Sequence, residues 1–265
     1  VSGEERVNER HQQERGPRSE RRAELAANLA RVEERIAAAC AAAGRHRDEV
    51  TLVVVTKTYP ADDVRLLWEL GVRHVAENRD QEAAGKAQAC ADTSLTWHFV
   101  GQLQTNKVRS VVSYADYVHS VDRVRLVTAL SAAAVRQGRE IGCLLQVGLE
   151  GGVPDGNGAG GGPTGGGRGG AAPGEIDRLA DAVAGAQGLR LTGLMTVAPL
   201  EGPFRGRPRA AFEALGEISS RVRAVHPAAT MVSAGMSGDL EDAVAAGATH
   251  VRVGTAVLGV RSRLG

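Results

Sequence analysis

With 265 residues, 43% of them hydrophobic but only 3% aromatic, the chain suits one α/β barrel or two small domains, with a core of Ala, Val and Leu. Thirty-two basic against thirty-one acidic residues leave a net charge of +1, which gives no electrostatic footprint for nucleic acid or an anionic membrane. Cys40, Cys90 and Cys143 show neither disulfide nor metal spacing, no apolar run is long enough to span a bilayer, and the start is charged rather than a signal peptide, so a cytoplasmic protein is expected.

Residues 1–20 are mostly Arg, Glu, Gln and Ser and read as a disordered extension. Leu25, Leu29, Val32 and Ile36 then recur at helical spacing, which predicts an amphipathic helix over 21–43. From there the pattern alternates. Strands are expected at 51–56, 73–76, 96–100, 117–120 and 141–147, separated by helices at 61–70, 80–90, 105–112 and 124–137. The block 151–174 holds thirteen glycines in twenty-four residues; it lacks the Gly-Lys-Ser/Thr ending of a phosphate loop and reads as a flexible insertion. Periodicity resumes with helices at 175–186, 209–225 and 239–246 and strands at 189–195, 230–233 and 250–253. Eight strands joined by helices and short links predict a single (β/α)8 TIM barrel over 21–262 with an extra N-terminal helix, an open doubly wound sheet being the alternative.

A barrel places functional residues just past the C-terminal ends of its strands. Those positions hold Lys57, Glu77-Asn78, Gly101-Gln102, Ser120, Gln146, Met195, Ser233 to Ser237, and Arg252-Gly254-Thr255, a polar set following apolar strands. Lys57 ends the run Leu52-Val53-Val54-Val55-Thr56; a desolvated amine there has a lowered pKa and can form a Schiff base, the alternative being a lysine that reaches solvent. The segments Ser233-Ala234-Gly235-Met236-Ser237 and Val253-Gly254-Thr255-Ala256 fall after strands seven and eight, where barrels frequently hold phosphate. Ser237 reads equally as a helix N-cap, and Asp239 and Glu241 are expected to point away from any anion. His98, inside a strand, reads as a satisfied core histidine.

Six separated motifs carry a family resemblance: Val55-Thr56-Lys57-Thr58; Glu77-Asn78 with Gln81-Glu82; Trp97-His98-Phe99-Val100-Gly101 with Leu103-Gln104 and Asn106-Lys107; Gly193-Leu194-Met195; Gly235-Met236-Ser237 with Asp239; and Val251-Arg252-Val253-Gly254-Thr255. In this order they resemble the pyridoxal phosphate homeostasis proteins, barrel-only relatives of alanine racemase. The resemblance implies a fold-type III barrel holding pyridoxal 5′-phosphate (PLP) as a Schiff base on Lys57. It also implies phosphate contacts from Ser237, Gly254 and Thr255, Arg252 near the pyridine nitrogen, and Asn78 and Met195 close to the ring. An arginine in that place leaves the nitrogen unprotonated and weakens the ring as an electron sink. Three positions depart from the family pattern: Tyr59 stands where a second lysine is frequent, Ala76 replaces a glycine, and Leu258 replaces a phenylalanine.

Racemase relatives draw a second base from a separate C-terminal domain, and no such domain is expected after the eighth strand; Tyr59 is the one rim candidate. The resemblance therefore implies a PLP-binding protein that buffers or delivers the cofactor, possible recipients being PLP-dependent apoenzymes, as a monomer or weak dimer without robust turnover. A racemase- or lyase-like enzyme is the alternative. A lysine-dependent aldolase without PLP is a third reading, which the first-strand position of Lys57 disfavours.

Overall fold

The computed structural model describes residues 3–151 and 169–259. Of the glycine-rich block, 152–168 lie outside the described residues. Strands β1 (Thr51–Val55), β2 (His74–Glu77), β3 (Thr96–Phe99), β4 (Tyr117–Val121), β5 (Ile141–Gln146), β6 (Leu189–Met195), β7 (Met231–Ser233) and β8 (His250–Val253) form one closed barrel in chain order. Every pairing is parallel, and β8 returns to β1 with Thr51 opposite His250 and Val53 opposite Arg252. That closing pair rules out the open-sheet alternative.

Helices α2 (Ala61–Glu69), α3 (Asp80–Ala89), α4 (Val108–Tyr114), α5 (Val124–Gln137), α6 (Ile176–Ala184), α7 (Pro208–Val225) and α8 (Leu240–Ala245) form the outer layer, and a short α9 (Thr255–Leu258) follows β8. Between strands and helices lie two apolar clusters. One gathers Val118, Leu130, Leu145, Leu194 and Phe212 from the middle of the chain; the other joins Leu25, Ile36, Val54, Val75 and Val251 across the closure. Each such side chain, fully removed from water, contributes about 1.5–3 kcal/mol before entropy is set against it.

The first helix, α1 (Gly3–Ala42), buries Leu25, Leu29, Val32 and Ile36 on one face and packs against α8 and α9. It begins well before the expected start at Arg21, in the stretch read from sequence as disordered. That stretch has few apolar residues to pack, but its Arg, Glu and Gln are good helix formers and propagate a helix already nucleated downstream.

Alternation along a strand sends every second residue into the barrel. In most barrels that interior is Val, Ile and Leu. Here His74, His98, His119, Ser233, His250 and Arg252 meet inside it through hydrogen bonds and ring contacts, and all but the half-buried His74 and His250 are buried. The polar interior ends at the C-terminal rim, where the sequence-predicted residues gather.

Candidate functional site

Lys57 sits on the turn that leaves β1, with an exposed side chain and no ion-pair partner among the described residues. The desolvated environment expected from the apolar strand is therefore absent: the strand is buried, but the chain turns outward one residue before the lysine. The turn is strained, because Thr58 has φ 69°, a left-handed conformation that a β-branched residue adopts at a cost of about 1–3 kcal/mol. Three charged residues hold it. Lys86 Nζ donates to the carbonyl of Thr56 at 2.8 Å and to Glu77 Oε1 at 2.7 Å, and Thr56 Oγ1 donates to the same Glu77 oxygen at 2.6 Å. Glu82 Oε2 accepts from the Thr58 amide at 3.0 Å. Burial pushes the Glu77 carboxyl above its ordinary value, against the pull of Lys86 and Thr56.

Asn78 follows β2. A side chain at Gly101 would meet the Asn78 carbonyl oxygen at 2.1 Å, so only glycine lets the end of β3 close on this residue. The amide oxygen of Asn78 is shielded from water yet has no hydrogen-bond partner among the described residues, which leaves it for a bound group. Beside it opens a cleft of about 240 Å³ whose lining includes Arg79, Gln102 and Lys107.

Met195 ends β6, buried, in register with Gln146 on one side and Ser233 on the other. Next to them the Arg252 guanidinium donates to Ser233 Oγ at 2.6 Å and to the carbonyl of Thr196 at 2.8 Å. Arg252 is only 4% exposed, and no carboxylate pairs with it among the described residues. Burial pushes its pKa down to about 10, with Asp239 pulling the other way from a distance. A buried cation without a counter-ion is costly and points to an acceptor supplied from outside the chain.

Ser237, Gly254 and Thr255 occupy the loops after β7 and β8. No acceptor among the described residues takes the backbone N–H of Ser237, Gly238, Thr255 or Ala256, so the two loops present free donors. Gly235, at φ 87°, makes the turn that brings the first loop back over α8. The N-cap of α8 is Asp239, not Ser237, which overturns the capping alternative for that serine. Asp239 Oδ1 folds back to accept from the Met236 amide at 2.6 Å, and Glu241 is engaged by Arg35 of α1. Helix α1 also anchors both loops: Arg35 donates to the Ser237 carbonyl at 3.1 Å, Asn28 to that of Val257 at 2.8 Å, and Arg21 to that of Leu258 at 3.0 Å.

Lys57, Asn78, Met195, Ser237, Arg252, Gly254 and Thr255 thus come from five strand ends and share one face of the barrel. A family model described as the alanine racemase N-terminal domain matches residues 27–262. The pyridoxal phosphate homeostasis protein of Mycobacterium tuberculosis is 42% identical over 258 residues, covering 91% of this chain and 95% of that one. The chain belongs to the pyridoxal phosphate homeostasis protein family. Another member, from Escherichia coli K12, is 35% identical over 90% of this chain and 97% of its own. Among solved structures, PipY of Synechococcus elongatus with PLP bound superposes with a TM-score of 0.72 at 33% identity, covering 89% of this chain and all of that one. The alanine racemase of Corynebacterium glutamicum, at 14% identity and a TM-score of 0.60 over 92% of this chain and 62% of that one, shares the fold.

Against that family background, sequence reasoning left two groups of this chain without a role. Lys86 supports the lysine turn, and its spacing from Glu82 on a predicted helix was the available signal. His119 was the other; it faces the same interior as His98 from the next strand. Tyr59, the rim candidate for a second base, instead donates its hydroxyl to the Gly259 carbonyl at 2.7 Å and lies against the Arg21 guanidinium. No helix among the described residues is long and apolar enough to cross a membrane, and none of their His, Cys, Asp and Glu clusters is arranged to hold a metal.

Proposed function

We propose that this chain binds pyridoxal 5′-phosphate, anchors it covalently through Lys57, and takes part in homeostasis of the cofactor by buffering it or passing it to PLP-dependent apoenzymes in the cytoplasm. The observation that carries the reading is the joint presence, at one barrel end, of a lysine, a buried arginine without a carboxylate and two loops of backbone donors, none of them paired among the described residues in the way their charge or N–H groups call for. The names of the relatives and the PLP in PipY point the same way.

The residues present fit the group. PLP carries an aldehyde that condenses with an amine, a pyridine nitrogen and a dianionic phosphate. Lys57, with no carboxylate partner among the described residues, offers the amine. Arg252 offers N–H donors and a permanent charge in the interior, which suits an unprotonated ring nitrogen. The Ser237 hydroxyl and the amides around Ser237 and Thr255 offer donors to phosphate oxygens, with Gly254 keeping its loop low against Val55. Asn78, with its unpartnered amide oxygen, and the buried Met195 would border the ring. The Tyr59 hydroxyl, given to Gly259, is not free to move a proton at the rim, which favours a carrier over a two-base racemase.

The test is an absorbance titration of the purified protein with PLP, followed by borohydride reduction and peptide mapping. A new band that reduction fixes on Lys57, and that Lys57→Ala abolishes, is the expected result. Equal uptake by Lys57→Ala without a trapped peptide overturns the covalent reading. The enzyme reading is tested by incubating loaded protein with single L-amino acids in deuterated water, where α-proton exchange in large stoichiometric excess would favour catalysis.

A further inference from the structure

A line of hydrogen bonds crosses the barrel interior and ends on Arg252. His74 Nδ1 lies 3.0 Å from His98 Nε2, His98 Nδ1 lies 2.8 Å from His119 Nε2, and His119 Nδ1 lies 3.0 Å from Ser233 Oγ. Ser233 Oγ in turn accepts from Arg252 Nη1 at 2.6 Å.

The chemistry of the last partner dictates the direction of every bond before it. Guanidinium has only donors, so Ser233 accepts from it and has one proton left to give. Ser233 has no exposed surface and no further hydrogen-bond partner among the described residues, so that proton goes to His119 Nδ1. His119 must then be protonated on Nε2 and donate to His98 Nδ1. By the same step His98 is protonated on Nε2 and donates to His74 Nδ1. The reverse polarity would leave the buried Ser233 proton with no acceptor. A second proton on His98 or His119 would force that reversal and bring another cation close to Arg252. Burial in any case holds both rings neutral, well below the ordinary imidazole range, with the neighbouring rings and, for His119, Arg252 acting in the same direction.

A neutral imidazole is a dipole whose negative end is its bare nitrogen. In this chain each bare nitrogen, Nδ1, lies on the Arg252 side of its ring. We propose that Ser233, His119 and His98 are positioning residues that act as the counterweight to Arg252: aligned dipoles, relayed through one hydroxyl, stabilise and orient its guanidinium where a carboxylate would have neutralised it. The full positive charge would thereby stay available to the pyridine nitrogen of a bound cofactor. Hydrogen-bonded chains in a low-dielectric interior polarise one another in the same sense, which strengthens the effect. Thr196 supplies a second fixed acceptor, so the guanidinium is held at two points. This inference rests on the reading of the rim as a PLP site.

Two arms test it, and the first needs no cofactor. Nitrogen-15 spectra of the histidine side chains in the wild-type protein should show His98 and His119 neutral with the proton on Nε2 at about pH 7. An Nδ1 proton or an imidazolium at either ring overturns the proposal. In the second arm Ser233→Ala, which removes one oxygen and leaves a small buried side chain, should mix the His119 tautomers and weaken PLP uptake about tenfold, at unchanged circular dichroism. Ser233→Thr, which keeps the hydroxyl, should restore a single tautomer and most of the affinity. Wild-type affinity in Ser233→Ala, with one tautomer retained, also overturns the proposal. If the wild-type protein takes up no PLP, the reading of the rim falls, while the first arm still decides the polarity of the chain.

Discussion

The β1–β2 corner and the β7–β8 corner hold the two ends of one site by different physics. At the first, Lys57 rides on a strained turn fixed by ionised groups: Glu77 and Lys86 beneath it, Glu82 beside it. At the second, the cation is the proposed site residue itself, and Arg252 is held by a hydroxyl and a carbonyl, with an imidazole behind the hydroxyl. The difference follows from what each end must do. In the proposed reading the anchoring amine is left without a carboxylate of its own, and the ion pair sits one residue away, on the Thr56 carbonyl. In the same reading Arg252 keeps its charge because dipoles stand where a carboxylate would have shared it.

The largest test of this contrast is Lys86→Ala. It leaves Glu77, whose side chain has no exposed surface, without its cationic partner, and should cost about 3–5 kcal/mol in urea unfolding. Adding Glu77→Gln should recover a large part of that loss, since no uncompensated charge then remains. If the single substitution costs no more than an average surface change, the first corner is not held by ions and the contrast fails.

The second test uses pH. His98 and His119 are neutral when folded and have pKa values lowered from an ordinary 6.5, so the unfolded chain binds protons first as the medium is acidified. Their contribution is complete above about pH 6.5 and is lost as pH falls towards the folded values, at no more than about 1.4 kcal/mol per pH unit for each proton that the unfolded chain alone takes up. Glu77 has the opposite sign: its raised pKa gives a contribution that is present below the ordinary 4.5 and fades as pH rises. Urea midpoints at a series of pH values in wild type and His119→Phe separate the two, because the substitution removes one histidine and leaves Glu77 untouched. The variant's slope below pH 6.5 should be shallower by about one ring's share. Parallel slopes would mean that folding does not lower the His119 pKa.

How much of this was legible in the sequence follows the same divide. The barrel was, because β-branched runs and Leu-Ala helices alternate with short links, and such a chain has few ways to bury both. So was the gathering of Lys57, Asn78, Met195 and Thr255 at one end of the barrel, since they stand at or just past the ends of apolar strands, whereas Arg252 lies inside β8. The exposure of Lys57 was not legible: the composition of a strand says nothing about which way the chain turns after it. Nor was the Asp239 cap, because two oxygen-bearing side chains two residues apart compete for that place and tertiary contacts choose. The histidine chain lay beyond local reading altogether. Its histidines stand on β2, β3 and β4 and Ser233 on β7, and only the barrel's register brings His98 beside His119 and Ser233 beside His119. In-phase alternation offered one clue, since His74 and Ala76 share the inward face of β2 as His98 does that of β3.

The smallest expected effect sharpens the contrast from outside the barrel. Helix α1 reaches the β7–β8 corner through single hydrogen bonds to carbonyls, and Asn28 makes the most buried of them, to Val257. Asn28→Ala should cost about 1 kcal/mol in stability, the usual net value of one such bond, with a further loss if the Val257 carbonyl stays dry. The more telling measurement is amide hydrogen exchange. Because Val257 and Leu258 donate back to the Gly254 carbonyl, freeing the Val257 carbonyl should loosen the short turn that carries Gly254 and Thr255. Faster exchange confined to 254–258, with the Thr56–Thr58 turn unchanged, is the expected pattern. Faster exchange at both corners would mean that the ion-held turn and the dipole-held loops open together, and the site would then be one cooperative unit instead of two.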